Sequence, residues 1–151
     1  MTSRRHRARV YALQVLFERD PSFNNRTLGT DGLWTALSDV ADDLGEASPH
    51  SSEKEFAQAV VEGVEAHIQK LDAMIDQCST NWRVGRMPVV DRNILRIAAY
   101  EMLERSDIPN TVSMNEAIEL AKEFGTEQSR AFVNGIVDRM NKELQEESSN
   151  S

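Results

Sequence analysis

The chain of 151 residues has a single cysteine, Cys78, and no run of about 18 apolar residues. One thiol cannot form an intramolecular disulfide, which is typical of a protein in a reducing compartment. The lack of a long apolar run predicts that no helix spans a membrane. The N-terminus is basic, but it lacks the apolar segment and small residues of a secretory signal. These absences together predict a cytoplasmic protein.

Residues that could bind a metal or carry out catalysis are few and scattered. His6, His50 and His67 lie far apart in the sequence, and Cys78 has no neighbouring cysteine, so no ligand spacing typical of a metal site is present. Phosphate-binding loops, dinucleotide-binding fingerprints and nucleophile elbows are also absent. The sequence therefore predicts a protein without a metal ion, a cofactor or a catalytic site.

Positive charge is scarce, except at the N-terminus. The chain has a net charge of −8 and a pI of about 4.9. Residues 1–20 nevertheless hold five arginines against only Glu18 and Asp20. A basic end on an acidic chain favours a specific contact with a polyanion. A solvated, disordered N-terminus is the alternative interpretation.

Apolar residues recur at helical spacing along the chain, and no strand-like alternation stands out. The predicted fold class is all-α, with roughly six or seven helices. The first helix should end at Asp20, a second apolar stripe covers residues 33–44, and residues 47–52 should form a linker. The polar residues 146–151 are expected to be a disordered tail.

Local signals predict the bounds of the central helices. Ser52 and Glu55 form a capping box, S-x-x-E, which should begin a third helix that reaches Cys78. Pro88 is well placed at the first position of the next helix. Glu101 falls inside the apolar stripe of that helix. Because a buried acid must be paired or hydrogen-bonded, we expect Glu101 to bond the start of another helix.

Similar signals predict the bounds of the last two helices. Ser113 and Glu116 form a second capping box, which should begin the helix that follows. Gly125 is expected to end this helix in the left-handed conformation that glycine favours. Thr126 or Ser129 should then begin the last helix.

The stretch AFVNGIVDRM places Gly135 in the middle of this last helix, where glycine costs roughly 0.5–1 kcal/mol relative to alanine. On a helical wheel Gly135 lies nearly opposite the apolar core face. Gln128, Phe132, Gly135 and Arg139 form a stripe of their own. Two interpretations fit. A neighbouring helix could pack closely over Gly135, or the stripe could bind single-stranded RNA, with Phe132 stacking on a base and Arg139 near a phosphate.

Four stretches occur in the order typical of the NusB transcription antitermination family: RRHRARVYALQVLF, MPVVDRNILRIAAYEML, SMNEAIELAKEFG and AFVNGIVD. The resemblance extends from residue 4 to about residue 140 and is weakest over residues 24–53. It implies an all-α fold of two small packed helical bundles, with one RNA-binding domain at residues 1–145 and subdomains at about 1–78 and 79–145.

The resemblance also implies a function without catalysis. Proteins of this family pair with ribosomal protein S10, which is also called NusE. Together the two proteins bind the boxA element of nascent RNA and join an antitermination complex on RNA polymerase, which favours full-length ribosomal RNA synthesis. Some relatives are dimers and others are monomers, so a homodimer is compatible with the resemblance.

The family's contact residues can be transferred to matching positions of this chain. Phe17 stands where the family often has tyrosine, so stacking is kept and a hydroxyl group is lost. Gln128 stands where some relatives have aspartate. The S10-facing surface should include Asp91 and Arg92, for which a solvated helix face is the alternative. The resemblance and the stripe on the last helix together predict these RNA-binding residues: Arg4, Arg5, Arg7, Arg9, Phe17, Gln128, Phe132, Gly135 and Arg139.

Three other functions are compatible with the sequence. The chain could be a stand-alone module related to the N-terminal domain of RNA cytosine methyltransferases, which resembles this fold. It could be a helical adaptor that binds only protein, or an enzyme whose site no motif reveals. Salt-dependent binding to a short single-stranded RNA would distinguish the RNA-binding functions from the other two. Dependence of that binding on S10 would favour the antitermination function.

Overall fold

The structure is a computed structural model that describes residues 3–21 and 51–149. These residues form six α-helices and one 3₁₀ turn and contain no strand, which confirms the all-α class. The stripe at residues 33–44 and most of the expected linker lie outside the described residues. The helices are α1 (Arg4–Arg19), α2 (Ser51–Ala66), α3 (Ile68–Cys78), α4 (Val89–Glu104), α5 (Asn110–Phe124) and α6 (Ser129–Ser149), and the 3₁₀ turn is Val84–Arg86.

The chain divides into two compact units, residues 1–65 and 66–151. In the first unit, the apolar faces of α1 and α2 are buried. In the second unit, α3 packs against α4 and α6, and α5 packs against α4 and α6. The boundary between the units therefore lies at residues 65–66, whereas the expected subdomain boundary is near residue 78. A single domain over residues 1–145 stays a prediction.

The predicted third helix is two helices in the structure. α2 ends at Ala66, and His67, with φ −116° and ψ 21°, precedes α3. The buried stripe nevertheless continues through Leu71 and Ile75, so the sequence pattern shows no interruption. The capping box at Ser52 is wrong, because a capping residue lies outside its helix and Ser52 is already the second residue of α2.

Two buried side chains connect α4 to α5. The predicted capping box at Ser113 is wrong because α5 begins earlier, at Asn110, and follows Pro109. Ser113 lies inside the helix, where its Oγ donates a 2.9 Å hydrogen bond to Oε1 of Glu101. Glu101 is 1% exposed, so the prediction of a buried acid bonded near the start of another helix is confirmed. Pro88 precedes α4 rather than occupying its first position.

Gly125 separates α5 from α6 and is not left-handed. Its backbone is extended, with φ −90° and ψ −169°, which any residue can adopt. Glycine is needed for space, because a Cβ atom here would collide with the side chain of Ser129 and the carbonyl of Ala121. The last helix begins at Ser129, one of the two predicted residues, and continues to Ser149, into the segment expected to be a polar tail.

Candidate nucleic-acid interface

The two faces of α6 differ as the helical wheel predicts. Val133, Val137 and Met140 are completely buried on the core face. On the other face Gly135 and Arg139 are exposed, whereas the ring of Phe132 is only half-buried. Gln128 is exposed and lies just before the first residue of the helix. α6 therefore presents an aromatic ring, an exposed glycine and a guanidinium group at its surface.

The segment that follows α3 forms the second wall of a cleft beside this face of α6. Arg139 connects the walls, because its Nη1 donates a 3.3 Å hydrogen bond to the carbonyl of Cys78. The cleft has a volume of about 200 Å³, below the roughly 300–1,000 Å³ of small-molecule pockets. It therefore suits one flat group rather than a whole metabolite. The lining residues are Cys78, Ser79, Thr80, Asn81, Ala131, Phe132, Gly135, Ile136 and Arg139.

Open space surrounds Gly135. Within the part of the chain that the structure describes, a Cβ atom built at this position would have no other heavy atom within 4 Å, apart from the neighbouring residues of the chain and the backbone of its own helix. Close packing of another helix, the first interpretation of this glycine, is therefore not seen among residues 3–21 and 51–149. The missing side chain instead keeps the floor of the cleft open.

Cys78 gives the cleft a neutral wall. Burial, followed by the nearby Glu143 carboxylate, raises the pKa of the Cys78 thiol to about 12. The thiol Sγ donates to Oε2 of Glu143 at 3.5 Å. Because the thiolate is the reactive form of cysteine, a thiol that stays protonated at neutral pH is a poor nucleophile. Cys78 therefore contributes to packing and does not act as a nucleophile.

The N-terminal arginines belong to a capped helix, so the alternative of a disordered N-terminus is wrong for residues 4–9. Ser3 Oγ accepts a 3.0 Å hydrogen bond from the backbone N–H of His6, and α1 begins at Arg4. Arg4 and Arg5 are exposed. The Arg5 guanidinium also lies 4.9 Å from the centre of the Phe56 ring, which is a cation–π distance.

The arginines at positions 7 and 9 are less accessible than the sequence predicts. Arg9 is only 2% exposed and lies 5.1 Å from the centre of the Phe56 ring. This burial corrects its predicted role as a surface contact for RNA. Arg7 is half-buried, with its Nη1 3.8 Å from Oε1 of Glu53 and its Nη2 donating to the Tyr11 hydroxyl at 3.2 Å. Phe17 is half-buried further along the same helix.

Asp91 and Arg92 are buried too, which corrects both the expected S10-facing surface and the alternative of a solvated face. Asp91 is 4% exposed and Arg92 is 5% exposed. Oδ1 of Asp91 accepts a 2.7 Å hydrogen bond from Ser129 Oγ. Burial raises the pKa of the Asp91 carboxyl, and the Ser129 hydrogen bond partly opposes this rise. The carboxylate thus holds the first residue of α6 against α4.

Sequence reasoning missed the wall formed by residues 78–81, because a polar segment between helices carries no periodic signal. It also missed the role of Ser129 in fixing the start of α6. Within residues 3–21 and 51–149, no cluster of three histidine, cysteine or acidic side chains could hold a metal ion. None of the described helices is long and apolar enough to cross a membrane.

Comparison with known proteins identifies the family. The model of the NusB family matches residues 6–142. A transcription antitermination protein NusB from Desulforamulus reducens is 46% identical over 136 residues, which cover 90% of this chain and 88% of that relative. The corresponding protein from Myxococcus xanthus is 40% identical, with coverages of 90% and 93%. These names describe transcription factors, not enzymes.

Solved structures agree with these matches. The NusB structure from T. maritima superimposes with a TM-score of 0.76 at 36% identity, covering 95% of this chain and 94% of that one. A chain from a crystal structure of antitermination factors NusB and NusE in complex with dsRNA has a TM-score of 0.75, with coverages of 95% and 99%. Its identity is 21%, so this likeness shows the fold alone. From the family match and the identities of the relatives, we conclude that the chain belongs to the NusB family.

Proposed function

We propose that this protein is a cytoplasmic transcription antitermination factor. In this proposal it binds boxA RNA together with ribosomal protein S10 and recruits S10 to elongating RNA polymerase, which supports ribosomal RNA transcription. Membership of the NusB family and the names of the relatives support the antitermination role. This chain shares its fold with a chain from the crystal structure of NusB and NusE in complex with dsRNA, which supports RNA and S10 as partners. The observation that carries the proposal is the open cleft on α6.

The cleft offers the two interactions that single-stranded RNA needs. The half-exposed ring of Phe132 can stack on a base, and such stacking is tolerant of sequence. Arg139 uses one of its five N–H donors on the Cys78 carbonyl, which leaves others for a phosphate. Because no heavy atom of another helix among the described residues lies within 4 Å of a Cβ position at Gly135, the RNA backbone can approach α6 closely.

The exposed arginines of α1 are proposed as a second RNA contact. In a chain with a net charge of −8, a few exposed cations determine where a polyanion binds. Arg4, Arg5 and Arg139 would neutralise three phosphates, so log K should fall with log salt with a slope of about −2 for a single strand. Arg9 adds nothing to this slope because it is buried.

Replacing Phe132 with alanine should weaken binding of boxA RNA by about 1–3 kcal/mol, because the stacking surface is lost. Phe132→Tyr is the matched control and should retain most of the affinity. Fluorescence anisotropy of a labelled boxA RNA, with and without S10 and across a salt series, measures both effects. If S10 binds but RNA does not, the protein is an adaptor. If RNA binding is tight and S10 has no effect, the methyltransferase-related module is the better function.

Gly135→Ala should separate stability from RNA binding. Alanine in an exposed helix interior should raise the free energy of unfolding by about 0.5–1 kcal/mol, since the added methyl group meets no atom of another helix among the described residues. The same methyl group should weaken RNA binding, because it fills the space that the RNA backbone needs. Urea denaturation and fluorescence anisotropy of a labelled RNA, measured on one preparation, test whether stability rises and whether RNA affinity falls. A variant that is more stable and binds RNA normally would show that Gly135 is not part of the interface.

A further inference from the structure

A second cleft adjoins the α6 cleft and contains an exposed tryptophan. It has a volume of about 560 Å³ and is lined by Asn81, Trp82, Arg83 and Arg86. Asn81 lines both clefts. Trp82 is 51% exposed, and the only other exposed large apolar side chain among the described residues is Val112. Because burial of an indole ring is favourable, the exposed ring offers an apolar surface that a ligand in this cleft could cover.

The backbone on both sides of Trp82 is held in place. Ser79 Oγ donates a 2.6 Å hydrogen bond to the carbonyl of Trp82. The next-but-one residue, Val84, is 4% exposed, and its N–H donates to Oδ1 of Asp76 at 2.8 Å. The 3₁₀ turn is closed by a 2.8 Å hydrogen bond from the N–H of Arg86 to the carbonyl of Arg83. The exposed ring is therefore mounted on a fixed segment.

The charges beside Trp82 favour an anion. The Arg83 side chain is 80% exposed, and its Nη1 lies 3.7 Å from Oδ2 of Asp76. Arg86 is exposed, and its guanidinium has no partner within residues 3–21 and 51–149. An aromatic surface flanked by cations is the pattern that proteins use to bind single-stranded nucleic acid, with bases on the ring and phosphates on the cations.

We propose that Trp82 is a second stacking position for the same RNA strand. In this arrangement the RNA leaves the Phe132 cleft, passes Asn81 and places a base on Trp82, while Arg83 and Arg86 contact its phosphates. The amide of Asn81 can donate to or accept from a base edge between the two rings. This inference rests on the proposed function, because it requires RNA in the α6 cleft. A protein partner is the competing occupant of the cleft at Trp82.

The test compares a minimal boxA RNA with the same RNA extended by four uridines at either end. The chain has two tryptophans, so the variant Trp34→Phe leaves Trp82 as the only one. One of the extended RNAs should bind more tightly and should quench Trp82 fluorescence, because stacking on the indole changes its emission. Trp82→Ala should remove this gain, a loss of about 5- to 150-fold in affinity, while Trp82→Phe should keep most of it. Arg86→Gln should reduce the salt slope by about 0.7.

Val112→Ala is the matched control, since it removes the other exposed apolar side chain and should leave RNA affinity unchanged. If the minimal RNA binds and depends on Phe132, but neither extension adds affinity or quenches Trp82, this inference is wrong and the proposed function stands. If the minimal RNA does not bind at all, both fail. If Trp82→Ala weakens S10 binding and leaves the affinity for every RNA unchanged, the second cleft faces a protein and the RNA path is wrong.

Discussion

Replacing Arg7 with methionine should lower the free energy of unfolding by about 3 kcal/mol, the lower end of the range for breaking a buried ion pair. The partner, Glu53, is 1% exposed, and its carboxylate oxygens accept no hydrogen bond within the described part of the chain. Nη1 of Arg7 lies 3.8 Å from Oε1 of Glu53 and supplies the counter-charge. Methionine keeps the packing of the stem but removes the cation beside the buried Glu53 carboxyl group. The expected loss of stability is at the lower end of that range because the Arg7 side chain is 24% exposed and so is partly solvated.

Urea denaturation of the single and double variants tests this expectation. The double variant Arg7→Met/Glu53→Met should recover most of the lost stability, since an apolar pair of similar size replaces the buried charges. Arg4→Met is the control, because Arg4 is exposed and should change stability by less than about 0.5 kcal/mol. A single variant as stable as the wild type would show that Glu53 does not need Arg7. RNA affinity of the double variant then shows whether Arg7 also contacts RNA.

Replacing Ser129 with alanine should lower the free energy of unfolding by about 2 kcal/mol, the usual contribution of a hydrogen bond to a charged group. The 2.7 Å bond from Ser129 Oγ to Asp91 is buried at both ends. Ser129 Oγ also accepts a 2.9 Å bond from the N–H of Thr126. A double-mutant cycle with Asp91→Asn isolates the contribution of the pair. A coupling energy near zero would show that the two groups do not stabilise each other.

The effect of Ser129→Ala should depend on pH. Burial raises the pKa of Asp91 above 3.8 in the folded state, and the Ser129 bond lowers it, so the variant should have a still higher pKa. A carboxyl with a raised pKa contributes stability below its unfolded pKa and loses that contribution as pH rises through the folded pKa. This loss should extend to higher pH in the variant. The stability difference should therefore grow as pH rises between the folded-state pKa of the wild type and that of the variant, both above the usual value of 3.8, as denaturation at several pH values would show.

The features that the sequence predicted well depend on local spacing. The two faces of α6 follow from the helical repeat, because side chains three and four residues apart share a side of any helix. Glu101 was recognised for a similar reason, since it interrupts an otherwise apolar stripe. The break at His67 was missed because the apolar stripe has the same spacing on both sides of it. Backbone dihedral angles at one residue leave no trace in that pattern.

The features that the sequence predicted poorly depend on contacts between distant residues. Arg9, Asp91 and Arg92 were assigned to the RNA-facing and S10-facing surfaces from the family resemblance, which does not report how deeply each side chain is buried in this chain. Their burial depends on what lies opposite, such as Phe56 beside Arg9 and Ser129 beside Asp91. The capping box at Ser113 was wrong for the same reason. Ser113 fits a local motif, but its hydroxyl bonds Glu101 on another helix.

The attachment of Ser129 to Asp91 also has a consequence for the thermodynamics of recognition. Phe132 lies one turn beyond Ser129, on a helix whose first residue is fixed to α4 by a buried bond. The backbone that carries the ring is therefore already ordered before a ligand arrives, so association loses little backbone entropy at this position. Because of this preorganisation, nearly all of the interaction free energy of the contacts appears in the binding free energy. Differences in affinity among RNAs should then appear mainly in how fast each one dissociates.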